Sequence, residues 1–89
     1  MIREFSFSWN GHRWNGYFNV IAGEVVIAHF EDAHMRDMLG QSLAYSKTET
    51  GAVVHAIDAD IQQSHAGIYE AVRQGVELRL GRPLQHYLN

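Results

Sequence analysis

The 89-residue sequence predicts one small α+β domain that covers residues 1–89. Three observations predict this class: apolar residues alternate near the N-terminus, apolar residues recur at helical spacing further on, and 46% of the composition is hydrophobic. We expect a three-stranded antiparallel meander, then two helices and one or two further short strands. The helices are expected to pack on one face of the sheet.

The stretch WNGHRWNG near the N-terminus contains two Asn-Gly pairs, and either pair is suited to a tight hairpin turn. A turn at the first pair, residues 10–11, places Phe5, Phe7 and Trp14 on one face of the hairpin. A turn at the second pair scatters apolar side chains over both faces, so the first pair is predicted to be the turn. Gly16 then lies opposite Phe5, whose ring is expected to cover it.

The chain is predicted to reverse again near residues 22–24, where an even-length turn places Val25, Ile27 and His29 on the face of Phe18. The other face of strands two and three is then also apolar, which is typical of a strand covered on both sides. A helix of this chain, a second copy or a partner protein could cover that face, or it could remain a modest exposed patch. If another chain covers it, the predicted interface comprises Tyr17, Ile21, Val26 and Phe30, with Arg13 at its rim.

Helical spacing in residues 31–46, EDAHMRDMLGQSLAYS, predicts a first helix with Asp32 as its N-cap. Its apolar stripe contains Met35, Leu39 and Leu43. This helix is expected to pack on the sheet.

The second half of the chain continues with the stretch AVVHAI, residues 52–57, which favours a short strand. A second helix is predicted over residues 58–75, beginning at a capping box and ending at a glycine. The alternating VELRL of residues 76–80 favours a last strand rather than more helix. Residues 81–83 are predicted to break the regular structure, and residues 84–89, LQHYLN, are expected to form a loosely held end.

Histidine is the only plentiful reactive residue, with six copies, and no motif in the sequence specifies a reaction. The stretches HFEDAH and HAIDAD contain zinc-ligand types without a diagnostic spacing, so structural roles are expected and a metal site is the alternative. Ser64 and His65 are neighbours on a predicted helix, where side chains point about 100° apart and cannot share a proton. The glycines form no phosphate-binding motif. A non-enzymatic protein without a cofactor is predicted.

The formal net charge of −3 is unlike that of most nucleic-acid-binding domains, which are strongly basic. The hairpin tip of residues 9–14 nevertheless combines two tryptophans with Arg13, so nucleic-acid binding there is kept as an alternative. Protonation of all six histidines would change the net charge from −3 to +3 near histidine's ordinary pKa of about 6.5, so self-association is expected to respond to mild acid.

The chain has no cysteine, which excludes disulfides and thiolate chemistry and is typical of a cytoplasmic protein. Its first residues lack the apolar segment of a signal peptide, and no apolar run reaches the roughly 18 residues of a membrane span. We therefore predict a small cytoplasmic protein-binding or regulatory accessory protein that acts through its apolar sheet face as a homodimer. No membrane association is expected.

Overall fold

A computed structural model describes residues 2–40, 42–56 and 66–89. Five strands and three helices lie within these ranges, and the strands form one antiparallel sheet in the order β1-β2-β3-β4-β5. The mixed α+β class predicted from the sequence is confirmed. The elements are β1 (Ile2–Trp9), β2 (His12–Ile21), β3 (Val25–Phe30), α1 (Ala33–Leu39), β4 (Ser42–Lys47), β5 (Val53–Ala56), α2 (Ala66–Leu80) and α3 (Leu84–Tyr87).

The first hairpin turns at the predicted Asn-Gly pair. Asn10 and Gly11 both have positive φ, 55° and 78°, as the two central residues of a tight hairpin turn require. The resulting register pairs Phe5 with Gly16. A Cβ atom added at Gly16 would lie 2.9 Å from the Phe5 ring and 2.6 Å from the carbonyl oxygen of His29. The prediction that Phe5 covers this glycine is confirmed.

The second turn lies where it was predicted, but its observed length differs from the predicted one. Ile21 pairs with Val25, so three residues rather than an even number separate the two strands. Ala22 and Gly23 adopt positive φ angles of 54° and 69°, and the backbone N–H of Glu24 donates to the Ile21 carbonyl oxygen at 3.0 Å. One residue of difference reverses every side chain of β3.

Because of this reversal, two residues of the predicted interface lie on the opposite face of the sheet from the one predicted. Val26 and Phe30 face the core, where they are 0% and 4% exposed, and Ala28 between them is also buried. Val25 and Ile27, which were expected in the core, lie on the outer face of the sheet. The sequence could not reveal the exchange because the stretch VVIAHF is apolar at both alternating sets of positions.

The first helix is shorter than predicted, and a strand occupies the second half of its predicted range. Asp32 is the expected N-cap, and its Oδ1 accepts hydrogen bonds from the backbone N–H groups of His34 at 2.8 Å and Met35 at 3.3 Å. The helix ends at Gly40, where φ is 82°. β4 follows, and its alternating pattern buries Leu43, which the prediction had placed on the helix.

The helix α2 continues through Gly75 to Leu80, so the strand predicted over residues 76–80 is wrong. Gly75 is buried against β1, where an added Cβ would lie 2.9 Å from the Cβ of Phe7 and would collide with the Ser6 carbonyl oxygen. The glycine is therefore explained by a close approach of helix to strand and not by a helix end.

Arg79 of α2 is exposed and lies outside the core. Its Nε donates a hydrogen bond to the Glu4 carbonyl oxygen at 3.2 Å, and Arg3 donates in return to the Arg79 carbonyl oxygen at 3.3 Å. β1 is an edge strand, so Arg79 occupies an acceptor that the sheet leaves unpaired.

One hydrophobic core unites the three described helices with the sheet. Ile68, Val72 and Val76 of α2 pack in the same cluster as Phe5, Phe7 and Phe18 of the first hairpin. The other buried members are Val26, Ala28, Phe30, Met35, Leu39, Leu43, Tyr45, Tyr69, Leu84 and Leu88.

The C-terminal residues are held and not loose, contrary to the prediction. Leu84 and Leu88 are buried, and the backbone N–H of Asn89 donates to the carbonyl oxygen of Gly23 at 3.0 Å. The short strand expected within AVVHAI is confirmed as β5. The predicted start of the second helix and its capping box lie in residues 57–65, outside the described residues.

Candidate functional site

The outer face of the sheet, the side away from the core, is the candidate site. Side chains of a strand alternate between the two faces, so the buried phenylalanines of β1 and β2 define the outer set. None of the described outer side chains is buried, and each is half-buried or exposed. We call this surface the open face. It comprises Ile2, Glu4, Ser6, Ser8, Arg13, Asn15, Tyr17, Asn19, Ile21, Val25, Ile27, His29, Ser42, Ala44, Ser46, Val54 and Ala56.

Apolar side chains are concentrated in one part of the open face, which we call the apolar patch. Cross-strand pairing joins most of this patch in two rows, because Ile21 lies opposite Val25, and Ile27 lies opposite Ala44, which lies opposite Ala56. In the first row, Ser46 of β4 lies between Val25 and Val54. Neighbouring strands bring such side chains within about 5.5 Å of one another. The patch comprises Ile21, Val25, Ile27, Ala44, Val54 and Ala56.

Two members of the apolar patch are large hydrophobic side chains that remain well exposed. Ile21 is 47% exposed and Val54 is 44% exposed, and Ile2 of the neighbouring β1 is 67% exposed. Three such residues on one sheet face are unusual, because isolated exposed apolar residues are common but clustered ones mark interaction surfaces.

The end of the open face near the first hairpin is polar. Arg13 donates two hydrogen bonds to the Ser6 Oγ, from Nη2 at 2.7 Å and from Nε at 3.1 Å. A hydrogen bond to the Glu31 carboxylate and the negative charge of that group raise the pKa of Tyr17, and Glu4 adds a smaller effect in the same direction. These side chains border an open cleft of about 500 Å³ that extends to α2.

The structure thus separates the predicted interface residues into two groups. Tyr17, Ile21 and Arg13 lie on the open face, whereas Val26 and Phe30 lie in the core. Sequence reasoning missed Val25, Ile27 and Val54 because it had misplaced the register of β3 and could not assign one to β5. The only sequence signal was the absence of alternation in VVIAHF.

The hairpin tip does not combine its aromatic and cationic groups on one surface. Trp9 and Trp14 lie on the core side and are half-buried, while Arg13 lies on the open face. Trp14 instead approaches α1, with its ring centroid 5.9 Å from that of His34. A base stacked on the tryptophans would therefore not contact the Arg13 guanidinium from the same side.

The described histidines do not converge on one site. His29 is exposed on the open face, whereas His55 stacks on the ring of Tyr69 at a centroid distance of 4.3 Å. Within residues 2–40, 42–56 and 66–89, no group of three or more His, Cys, Asp or Glu side chains is arranged to hold a metal ion. Ser64 and His65 lie outside the described residues.

In the part of the chain that the structure describes, no helix combines the length and hydropathy needed to cross a membrane. Comparison with protein-family models, curated proteins and solved structures found no match to this chain. The open face combines exposed apolar side chains with a polar end on one continuous sheet surface.

Proposed function

We propose that the protein is a small non-enzymatic binding protein that forms a homodimer through its open face. The apolar patch is the observation that supports this proposal. Ile21 and Val54 lie on different strands of one sheet face and both expose nearly half of their surface. Removing such surface from water contributes roughly 25 cal/mol per Å², and this contribution favours association through the patch.

A second copy of the chain is the occupant that best fits the patch. A two-fold interface brings the same surface of each partner together, so an apolar patch meets an apolar patch. The charged side chains of the open face, Glu4 and Arg13, lie on β1 and β2 and are not members of the patch. Two sheets pack face to face at about 10 Å with strands inclined by about 30°, a geometry that needs no rearrangement of either chain.

The area of the open face sets the expected affinity. Five strands spaced by about 4.8 Å, each contributing about six residues at about 3.4 Å per residue, provide roughly 500 Å² of sheet. Stable complexes bury about 800 Å² on each partner, and smaller interfaces are usually transient. We therefore expect dissociation in the micromolar range, so that monomer and dimer exchange with protein concentration.

The test compares three matched lysine variants by sedimentation equilibrium. Ile21→Lys and Val54→Lys place a charge in the apolar patch and should raise the dimer dissociation constant at least tenfold, about 1.4 kcal/mol. Leu78→Lys adds the same charge at an α2 residue that is 84% exposed and lies outside the patch. Its dissociation constant should equal that of the wild type, and all three variants should retain the wild-type circular dichroism spectrum.

A wild-type chain that sediments as a monomer up to about 1 mM would overturn the proposal. Equal weakening by all three substitutions would also reject it, because a general charge effect would then explain the result. A dimer unaffected by either patch variant would place the interface elsewhere.

A further inference from the structure

A second surface lies on the core side of the first hairpin, between its tip and α1. It is a cleft of about 570 Å³, which we call the hairpin cleft. Its accessible lining comprises the rings of Trp9, His12, Trp14 and His34 and the side chains of Asn10 and Met38, and the fully buried Met35 lies next to it. This surface is separate from the open face, because residues 9, 12 and 14 point to the opposite side of the sheet from Arg13.

The indole rings in the cleft are held in place by the protein itself. Trp14 Nε1 donates a hydrogen bond to the Trp9 carbonyl oxygen at 3.3 Å, which fixes the ring and uses its only polar group. The far edge of Trp9 lies against α2, where an added Cβ on Gly67 would be only 3.0 Å from the ring. Rings fixed before binding lose little conformational freedom when a ligand arrives.

The arrangement of rings favours contact with another flat ring. Trp14 lies close to two imidazoles, with its ring centroid 6.1 Å from that of His12 and 5.9 Å from that of His34. Indole faces stack on planar rings, and methionine sulfur makes favourable contacts with aromatic edges. The imidazole nitrogens and the Asn10 amide at the rim can exchange hydrogen bonds with ring nitrogens, which an aliphatic ligand lacks.

The side chains that line the cleft also indicate the charge of its ligand. No carboxylate or guanidinium is among the described residues that line the cleft. The nearest arginine in the sequence, Arg13, is directed to the other face and bonds Ser6. We propose that the hairpin cleft binds an uncharged planar nitrogen heterocycle, supplied either as a free small molecule or as an unstacked base of single-stranded nucleic acid.

Intrinsic fluorescence provides a direct assay, because the chain has two tryptophans and both line the cleft. Adenosine is the probe, and ribose is the control that lacks the planar ring. Adenosine should quench the tryptophan emission with a saturable curve at millimolar concentration or below, and ribose should leave it unchanged. An absence of saturation up to about 10 mM, or an equal response to ribose, overturns the proposal.

Substitutions of cleft residues test whether adenosine binds in the hairpin cleft. His34→Ala and Met38→Ala should each weaken adenosine binding at least fivefold, whereas Leu78→Ala on the exposed side of α2 should not. Circular dichroism and the unliganded emission spectrum check that each variant is folded. Binding that neither cleft variant weakens would reject this location.

A single-stranded oligothymidine compared with thymidine separates the two sources of the ring. Binding of the oligonucleotide more than tenfold tighter, with a steep loss in salt, identifies a strand as the source. Equal affinities identify a free small molecule. The outcome is independent of dimer formation, since Ile21→Lys alters the open face and should leave adenosine binding unchanged.

Discussion

Phe30 and Ile21 are both apolar residues of the β2–β3 hairpin, yet they have opposite roles. Phe30 is 4% exposed, and its ring meets the ring of Phe7 edge to face at 6.0 Å. Ile21 ends β2 on the open face and is 47% exposed. Burial therefore assigns Phe30 to the stability of the fold and leaves Ile21 available for the proposed contact with a second copy.

Alanine substitution should separate these roles. Phe30→Ala removes a buried ring and leaves a cavity, so it should lower the free energy of unfolding by about 3 to 5 kcal/mol. Ile21→Ala should change it by less than about 1 kcal/mol, since the side chain is partly in water already. Urea denaturation at a concentration where the chain is monomeric measures both values. Similar losses in the two variants would contradict the burial assignment.

Tyr45 links the sheet to α2 through a buried polar contact. Its hydroxyl donates a hydrogen bond to the Tyr69 carbonyl oxygen at 2.7 Å, and burial raises the pKa of Tyr45. In the unfolded chain a tyrosine ionises near its ordinary pKa of about 10. The raised pKa in the folded state therefore contributes stability that is present below about pH 10 and is lost as the pH rises above it.

Tyr45→Phe tests this contact in two ways. At neutral pH the variant should lose about 1 to 2 kcal/mol of unfolding free energy, because it lacks the hydrogen bond. Above about pH 10 the wild type should lose stability faster than the variant, whose residue 45 cannot ionise. Urea midpoints measured at pH 7 and pH 10.5 check both effects. Parallel losses of stability between the two pH values would refute the titration of Tyr45.

At the scale of elements, the packing of α2 on β1 depends on a glycine in the middle of the helix. Alanine normally stabilises a helix interior by about 1 kcal/mol relative to glycine. At Gly75 the added Cβ would meet the Ser6 carbonyl oxygen and the Cβ of Phe7, which belong to β1 and cannot rotate away.

Gly75→Ala should therefore lower the unfolding free energy, by about 1 to 3 kcal/mol, although it raises helix propensity. The control is Gln74→Ala at the exposed neighbouring position, which should change stability by no more than about 0.5 kcal/mol. Thermal unfolding followed by circular dichroism measures both variants. A stabilised Gly75→Ala variant would show that α2 can move away from β1.

The same elements explain which parts of the fold the sequence could predict. The first hairpin was predictable because only one of its two possible turns places Phe5, Phe7 and Trp14 on one face. The second was not, because Ala22 adopts a positive φ that its residue type does not indicate, and VVIAHF fits either register.

Two further errors arose where one pattern fitted two structures. Leu43 fits both the helical stripe of α1 and the alternation of β4. The positive φ of Gly40 ends α1 before Leu43, which therefore belongs to the strand. VELRL alternates like a strand, but its Val76 faces the core from α2 while Arg79 reaches the edge of β1. In both cases tertiary packing overrode a local pattern.

The candidate site was only partly predictable for the same reason. An outer face rich in apolar residues followed from the first hairpin, which placed Tyr17, Ile21 and Arg13 correctly on it. The other members of this face could be placed only with the correct register of β3 and the position of β5. The apolar patch therefore became visible only when Val25 was located on β3 and Val54 on β5, on either side of β4.

At the scale of the whole molecule, the described sheet has one face in the core and one face in contact with solvent. An antiparallel sheet can expose one face when that face is polar. Here the end of the open face near the first hairpin is polar, but the rest of the face contains the exposed apolar patch. This contrast between two parts of one surface is the basis for the proposed homodimer.

The most direct test is a series of amide nuclear magnetic resonance spectra recorded from about 10 μM to 1 mM protein. The proposed dimer predicts that signals of the apolar patch, including Ile21, Ile27 and Val54, shift progressively with concentration while Leu78 remains constant. Spectra that are independent of concentration, with monomeric relaxation rates throughout, would contradict the homodimer. Shifts confined to α2 would contradict the open face as its interface.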